Sequence, residues 1–103
     1  MTYSIDWTDN ALLGAMSAAD SLAERTNQDP VQWMEALHER VGQLAANPRL
    51  APRWRLASDR SLRQLLYAKV WVVIYQVDDE NEKVVVLAVR HGTQRPLDVG
   101  DLR

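Results

Sequence analysis

The chain contains no cysteine, and its two histidines, His38 and His91, lie far apart in the sequence. The first absence excludes a disulfide framework and any thiolate nucleophile, and it suits a reducing compartment. The second leaves no pair of ligands at metal-binding spacing. Four glycines are present, none in a phosphate-cradling loop. No apolar run approaches the length that spans a bilayer. The opening "MTYSIDWTDN" has neither a basic segment nor an apolar stretch of the kind that directs secretion. No membrane association, no metal, no cofactor and a cytoplasmic location are the expectations.

Net charge is small and uneven in placement. The net charge is −2 over 103 residues. Residues 1–48 are acidic, with Arg25 and Arg40 as the only cations. Residues 49–69 are basic, carrying Arg49, Arg53, Arg55, Arg60, Arg63 and Lys69 against Asp59 alone. The remainder is mildly acidic. A uniformly basic nucleic-acid binder does not look like this. A solvated arginine-rich loop does, and so does a domain with one basic contact belt.

The length fits one domain, residues 1–103. "YSIDW" (3–7) alternates and reads as a short strand. Thr8 or Asp9 then supplies an N-cap, and Ala11, Leu12, Ala15, Met16, Ala19 and Leu22 recur at helical spacing. "TNQDP" interrupts. Asp29 caps a second helix with Pro30 in its first turn, and Met34, Leu37, Val41 and Leu44 form its stripe. Pro48 disfavours helical geometry at Asn47. The helices are expected over 9–26 and 30–46, antiparallel across a short connection. Gly42 within the second costs up to ~1 kcal/mol relative to alanine, which a close helix–helix approach would explain.

Two apolar segments follow, "KVWVVIYQV" and "EKVVVLAVRH", joined by the turn-forming "DDEN". In the first, Val70, Val72 and Ile74 alternate with Trp71, Val73, Tyr75 and Val77. In the second, Val85, Leu87, Val89 and His91 alternate with Val84, Val86, Ala88 and Arg90. Both faces are apolar, which marks central strands covered on both sides. A helical hairpin covers one face. The other needs the C-terminal tail, a partner, or a partly apolar cleft. The tail "TQRPLDVGDLR" (93–103) lacks periodicity and is expected to be loosely ordered.

The ordered set "IDWTDNA", "LAANPRLAPRWR" and "LRQLLYAKVWVVIYQVDDENEKVVVLAVRHG" resembles the RelE/ParE superfamily of type II toxin–antitoxin toxins. The resemblance implies an α+β fold: an N-terminal strand, then an antiparallel helical hairpin packed on a curved, mainly antiparallel sheet. It implies a cognate antitoxin that wraps the toxin in a hetero-oligomer and covers part of the second sheet face. It also implies one of two activities. ParE-like members, often associated with plasmid stabilisation, inhibit growth by binding DNA gyrase. RelE-like members cleave mRNA in the ribosome as metal-independent endoribonucleases, or mRNA interferases.

Under the nuclease reading, the groups that activate the 2′-OH, stabilise the phosphorane and protonate the leaving oxygen are basic and aromatic. The matching candidates are Arg63, Lys69, Arg90 and His91. Arg90 equally fits an edge ion pair, and His91 a strand-end histidine bonded to backbone. Consecutive strand residues point to opposite faces, so Arg90 and His91 share one cleft only if the strand ends or bulges. Under the binding reading, Arg53, Trp54, Arg55, Arg63 and Arg90 form the partner-contacting set, with Trp54 the aromatic most suited to a surface. Tyr75 and Trp71 fit the core better than a base-stacking platform. No tyrosine or histidine follows His91, and the net charge opposes binding to RNA. Both points favour the ParE-like activity. Parity places Arg90 on the open face, continuing the row Val84, Val86 and Ala88, with His91 ending the covered row Val85, Leu87 and Val89.

Overall fold

A computed structural model of the chain describes residues 2–53 and 62–92. Strand β1 (Ser4–Trp7) leads into helices α1 (Asp9–Arg25) and α2 (Pro30–Gly42) and a 3-10 turn, Gln43–Ala45. Strands β2 (Leu62–Tyr67), β3 (Trp71–Asp78) and β4 (Lys83–His91) complete it. The sheet order is β1-β4-β3-β2. The last three strands form an antiparallel meander, and β1 lies parallel to β4, with Ile5 opposite Val84. This is the expected α+β architecture, a helical hairpin on a mixed, mainly antiparallel sheet. The tail 93–103 lies outside the described residues.

The helix starts follow from their caps. Thr8 Oγ1 accepts a hydrogen bond from Ala11 N at 3.1 Å and donates to Val86 O on β4 at 3.0 Å. One hydroxyl thus satisfies an orphan helix donor and ties α1 to the sheet. Asp29 Oδ1 accepts from Val31 N at 2.9 Å, with Pro30 in the first turn. The second helix is shorter than its apolar stripe suggests. After Gly42 its hydrogen bonding tightens to 3-10, which keeps Leu44 in the core.

The face that α1 buries is made of alanines: Ala11, Ala15, Ala18 and Ala19. Leu12 is only half-buried, and Met16 is 55% exposed, so the stripe read from spacing is rotated away from its larger members. The reason is distance. α1 lies so close to β4 that a Cβ at Gly14 would sit 2.9 Å from Val89 O, nearer than real Cβ contacts occur. Only methyl-sized side chains fit such an approach. α2 adds Trp33, Leu37 and Val41 to the same core. Gly42 has nothing within 4 Å of its would-be Cβ, so the close approach expected there occurs at Gly14 instead.

From β3, Trp71, Val73, Tyr75 and Val77 join the helix-facing core. Ile74 belongs to a second cluster with Leu62 and Ala88, flanked by Val72 and Leu87. The sheet is therefore apolar on both faces, as the two-sided strands require. β4 departs from simple alternation. Ala88 pairs with Ile74 but Val86 pairs with Tyr75, leaving Leu87 as the extra residue of a β-bulge. Its carbonyl accepts from Asn10 Nδ2 at 3.2 Å. The bulge corrects the parity assignment for half of the strand. Val84 and Val86 face the helices and not the open side, whereas beyond Leu87 Val89 faces the helices and Ala88 the far side.

The two glycines separate contact from propensity. Gly14→Ala should destabilise by about 1–3 kcal/mol, because the backbone of β4 must give way. Gly42→Ala should stabilise by up to ~1 kcal/mol. Urea unfolding of both variants checks this; equal effects would mean that α1 does not sit so close to β4.

Candidate functional site

The basic residues singled out from the sequence fall into two separate groups. Arg63 stands opposite Tyr75 in the β2–β3 register and so shares its helix-facing side. Its Nη1 donates to Ala51 O at 2.6 Å. Arg53 bridges to Arg63 through backbone, and Gln64 N donates to Pro52 O at 3.1 Å. Arg63 thus pins residues 51–53 along the outer edge of β2, and Arg53 is exposed beside it. Trp54 and Arg55 lie outside the described residues. Tyr75 is fully buried; its hydroxyl donates to Pro48 O at 2.9 Å, and burial raises its pKa. It is a core tyrosine that ties the segment after α2 to the sheet.

Lys69, Arg90 and His91 gather at the opposite end of the sheet. Lys69 sits exposed in the β2–β3 turn, where Ala68 and Lys69 both hold positive φ, 51° and 72°. Each such position costs a non-glycine residue roughly 1–2 kcal/mol. Arg90 pairs with Val72 and His91 with Trp71. Val72 packs on the far cluster and Trp71 in the helix-side core, so Arg90 and His91 point to opposite faces. This end of the parity argument holds because the bulge lies upstream of it. The positions opposite Arg63 and His91, Tyr75 and Trp71, are four residues apart on β3, about 13 Å along the strand. The four residues proposed for RNA cleavage therefore do not all converge: Arg63 stands apart from the other three.

What does converge is aromatic. Trp33 meets Tyr67 and Trp71 edge-on, each at 5.4 Å between ring centroids, and Trp71 meets His91 at 5.1 Å. Tyr67 donates its hydroxyl to Trp33 O at 2.9 Å. Beside this stack, a groove of about 410 Å³ opens between α1 and the end of β4. Ser17, Ser21 and Arg25 line it from the helix, and Trp71, Arg90 and His91 from the sheet. The helical three were not singled out from the sequence, although their spacing of four residues puts them on one helix face. No group of three or more potential metal-ligating side chains occurs among the described residues.

At the other pole, the acidic β3–β4 turn braces the domain. Asp79 accepts from the Tyr3 hydroxyl at 2.7 Å and pairs with Arg49. The turn is a clamp on both the N-terminal segment and the segment after α2. The Tyr3 hydrogen bond, and then Arg49, hold the Asp79 carboxyl below its ordinary value. The same bond raises the Tyr3 phenol. Asp78 is lowered by the side-chain amide and backbone N–H of Asn81.

Known structures share this fold. The toxin–antitoxin complex RelBE2 from Mycobacterium tuberculosis matches with a TM-score of 0.64 at 20% identity, covering 88% of this chain and 99% of that one. The chromosomal ParDE system from P. aeruginosa gives 0.66 at 14% identity, covering 87% and 96%. The isolated E. coli RelE toxin gives 0.62 at 21% identity, covering 90% and 87%. The fold is therefore that of the RelE/ParE toxins. No curated protein sequence matches significantly. The model of the ParE toxin of type II toxin–antitoxin systems, parDE, matches residues 5–96, and the chain belongs to that family.

The clamp predicts an acid-sensitive contribution. Because the Asp79 carboxyl is depressed in the folded state, its stabilisation is full above the unfolded value near 4 and fades as pH falls through the folded one. The stability gap between the parent and Asp79→Asn should shrink between about pH 5 and pH 3 in urea melts. A gap constant across that range would remove Asp79 from the clamp.

Proposed function

We propose that this toxin acts in the ParE-like manner, by docking on a protein target such as DNA gyrase, and that a cognate antitoxin neutralises it. The separation of the basic residues is what supports docking over RNA cleavage. A general base, a charge stabiliser and a general acid must surround one phosphate. Here Arg63 is held by Ala51 O on one side of the sheet, while Lys69 and Arg90 sit at the other end and His91 turns to the opposite face from Arg90. Tyr75, the central strand's tyrosine, is fully buried. The match to the ParE family model points the same way.

The antitoxin reading rests on the family and on two of the neighbours, RelBE2 and the intact E. coli RelBE, which are toxin–antitoxin complexes. In this chain residues 49–69 carry six cations against one anion, a balance that suits an acidic partner. Arg53 is exposed, and Arg90 closes the far-side row after Ala88. An arginine there holds a carboxylate in a bidentate pair. Trp54 and Arg55 belong to the same proposed contact set.

Expression of the chain alone in a bacterium tests the activity. Filamentation with DNA-damage signalling, and inhibition of supercoiling by purified gyrase, are the expected outcomes. Rapid arrest of translation with cut mRNA would instead establish the ribosome-dependent nuclease, and an absence of any phenotype a chain that retains only antitoxin binding. Arg90→Ala should reduce toxicity or antitoxin affinity with little change in stability. His91→Ala should cost about 1 kcal/mol of stability through its lost edge contact with Trp71. A stable but inactive His91→Ala, beside a fully toxic Arg90→Ala, would return the nuclease to first place.

A further inference from the structure

We propose that the β2–β3 turn is a docking tip that enters an apolar, acid-rimmed cleft on the folded protein this toxin inhibits; that the target is a protein rests on the functional reading above. The tip is apolar where it meets water. Leu66 is 55% exposed and Val70 is 46% exposed. Leu66 lies opposite the half-buried Val72 on the far face of the sheet, and Val72 in turn pairs with Arg90. Lys69 stands exposed between the two aliphatic residues in the chain.

The tip is also held in shape at a cost. Ala68 and Lys69 keep φ at 51° and 72°, a left-handed backbone that glycine adopts without strain. Neither residue gains a core contact in return, since both are exposed. The turn is braced from β4: Gly92 N donates to Val70 O at 2.7 Å, and a Cβ at Gly92 would sit 3.1 Å from that oxygen. Within the turn Val70 N donates to Ala68 O at 2.9 Å. Strain kept in an exposed, braced turn that shows aliphatic side chains to water serves contact and not stability.

Shape and side chains select the partner. A convex hairpin tip fits a preformed cleft, whereas an extended peptide needs a groove or a strand edge to lie along. A single-stranded nucleic acid fits poorly, because its bases stack on aromatic rings. The aromatic neighbours of the turn face the helices: Tyr67 donates to Trp33 O at 2.9 Å, and Trp71 is 7% exposed. Two aliphatic side chains with a lysine between them match an apolar cleft with carboxylates on its rim.

Growth of bacteria that express the chain, and supercoiling by purified gyrase, test the tip in the Leu66→Thr/Val70→Thr double variant. Threonine suits an exposed strand and removes apolar surface. The variant should unfold in urea as the parent does, and should need about tenfold more protein to inhibit gyrase. Growth arrest reads the tip whichever protein is the target. Lys69→Glu should also weaken inhibition, and Lys69→Arg should retain it. A double variant as potent as the parent, or a fully active Lys69→Glu, would overturn the proposal and leave the functional reading standing. So would a double variant that loses antitoxin binding in the same measure as toxicity, since the tip would then belong to the antitoxin contact. A parent chain that spares gyrase and cuts mRNA would instead remove the functional reading, and the protein target with it.

Discussion

Everything in this fold depends on how closely α1 is allowed to approach β4. The contact is backbone on backbone, with Gly14 against Val89 O and four buried alanines beside it. A larger side chain on that face would lift the helix and open the core above Val84, Val86 and Val89. The large groups that fill the core come instead from α2 and β3, as Trp33, Leu37, Trp71 and Tyr75. Thr8 and Asn10 fix the height of the helix by bonding to the carbonyls of Val86 and Leu87. A small-residue face of this kind contributes little apolar area itself. Its value is that it brings the donors of α1 within reach of the end of β4.

The β-bulge follows from the same contact. With Leu87 out of the ladder, its carbonyl is available to Asn10, and the strand beyond it changes which face each side chain meets. Without the bulge, Val89 would leave the helix-side core and His91 would leave Trp71. A single unpaired residue therefore decides which face of the sheet each of Arg90 and His91 points to.

Much of this was legible in the sequence, and the misses share a cause. Thr8, Asp29 and Pro30 marked the helix starts because capping is local chemistry. Alternation in β3 separated the Trp71 row from the Ile74 row because that strand is regular. Alternation in β4 misplaced Val84 and Val86, since a bulge has no signature in a run of valines. Helical spacing offered Leu12 and Met16 for the core, but the sheet distance selects by size as well as by angle, and only alanines passed. Trp33 was overlooked because it stands one position before the periodic stripe. For the site, Arg63, Lys69, Arg90 and His91 all lie on the sheet or in its β2–β3 turn. Their dispersal required the register, which pairs Arg63 with Tyr75 and His91 with Trp71. Ser17, Ser21 and Arg25 went unread because a polar helix face looks like ordinary solvent exposure until a strand end is placed opposite it.

The position of β4 in the sheet has a consequence for synthesis. Among the described residues it is the last strand in chain order, yet it lies between β1 and β3 and carries α1 on its face. Until residue 91 has left the ribosome, β1 has no neighbour in the sheet and the alanine face of α1 has nothing to rest on. Local helix formation can begin early, but the contacts that make it durable span most of the chain, and such contacts form late. A translating ribosome thus holds an unfinished chain whose sheet has no centre. The surfaces that depend on β4, the groove beside Trp71 and the row that ends at Arg90, come into being together, once β4 is in place.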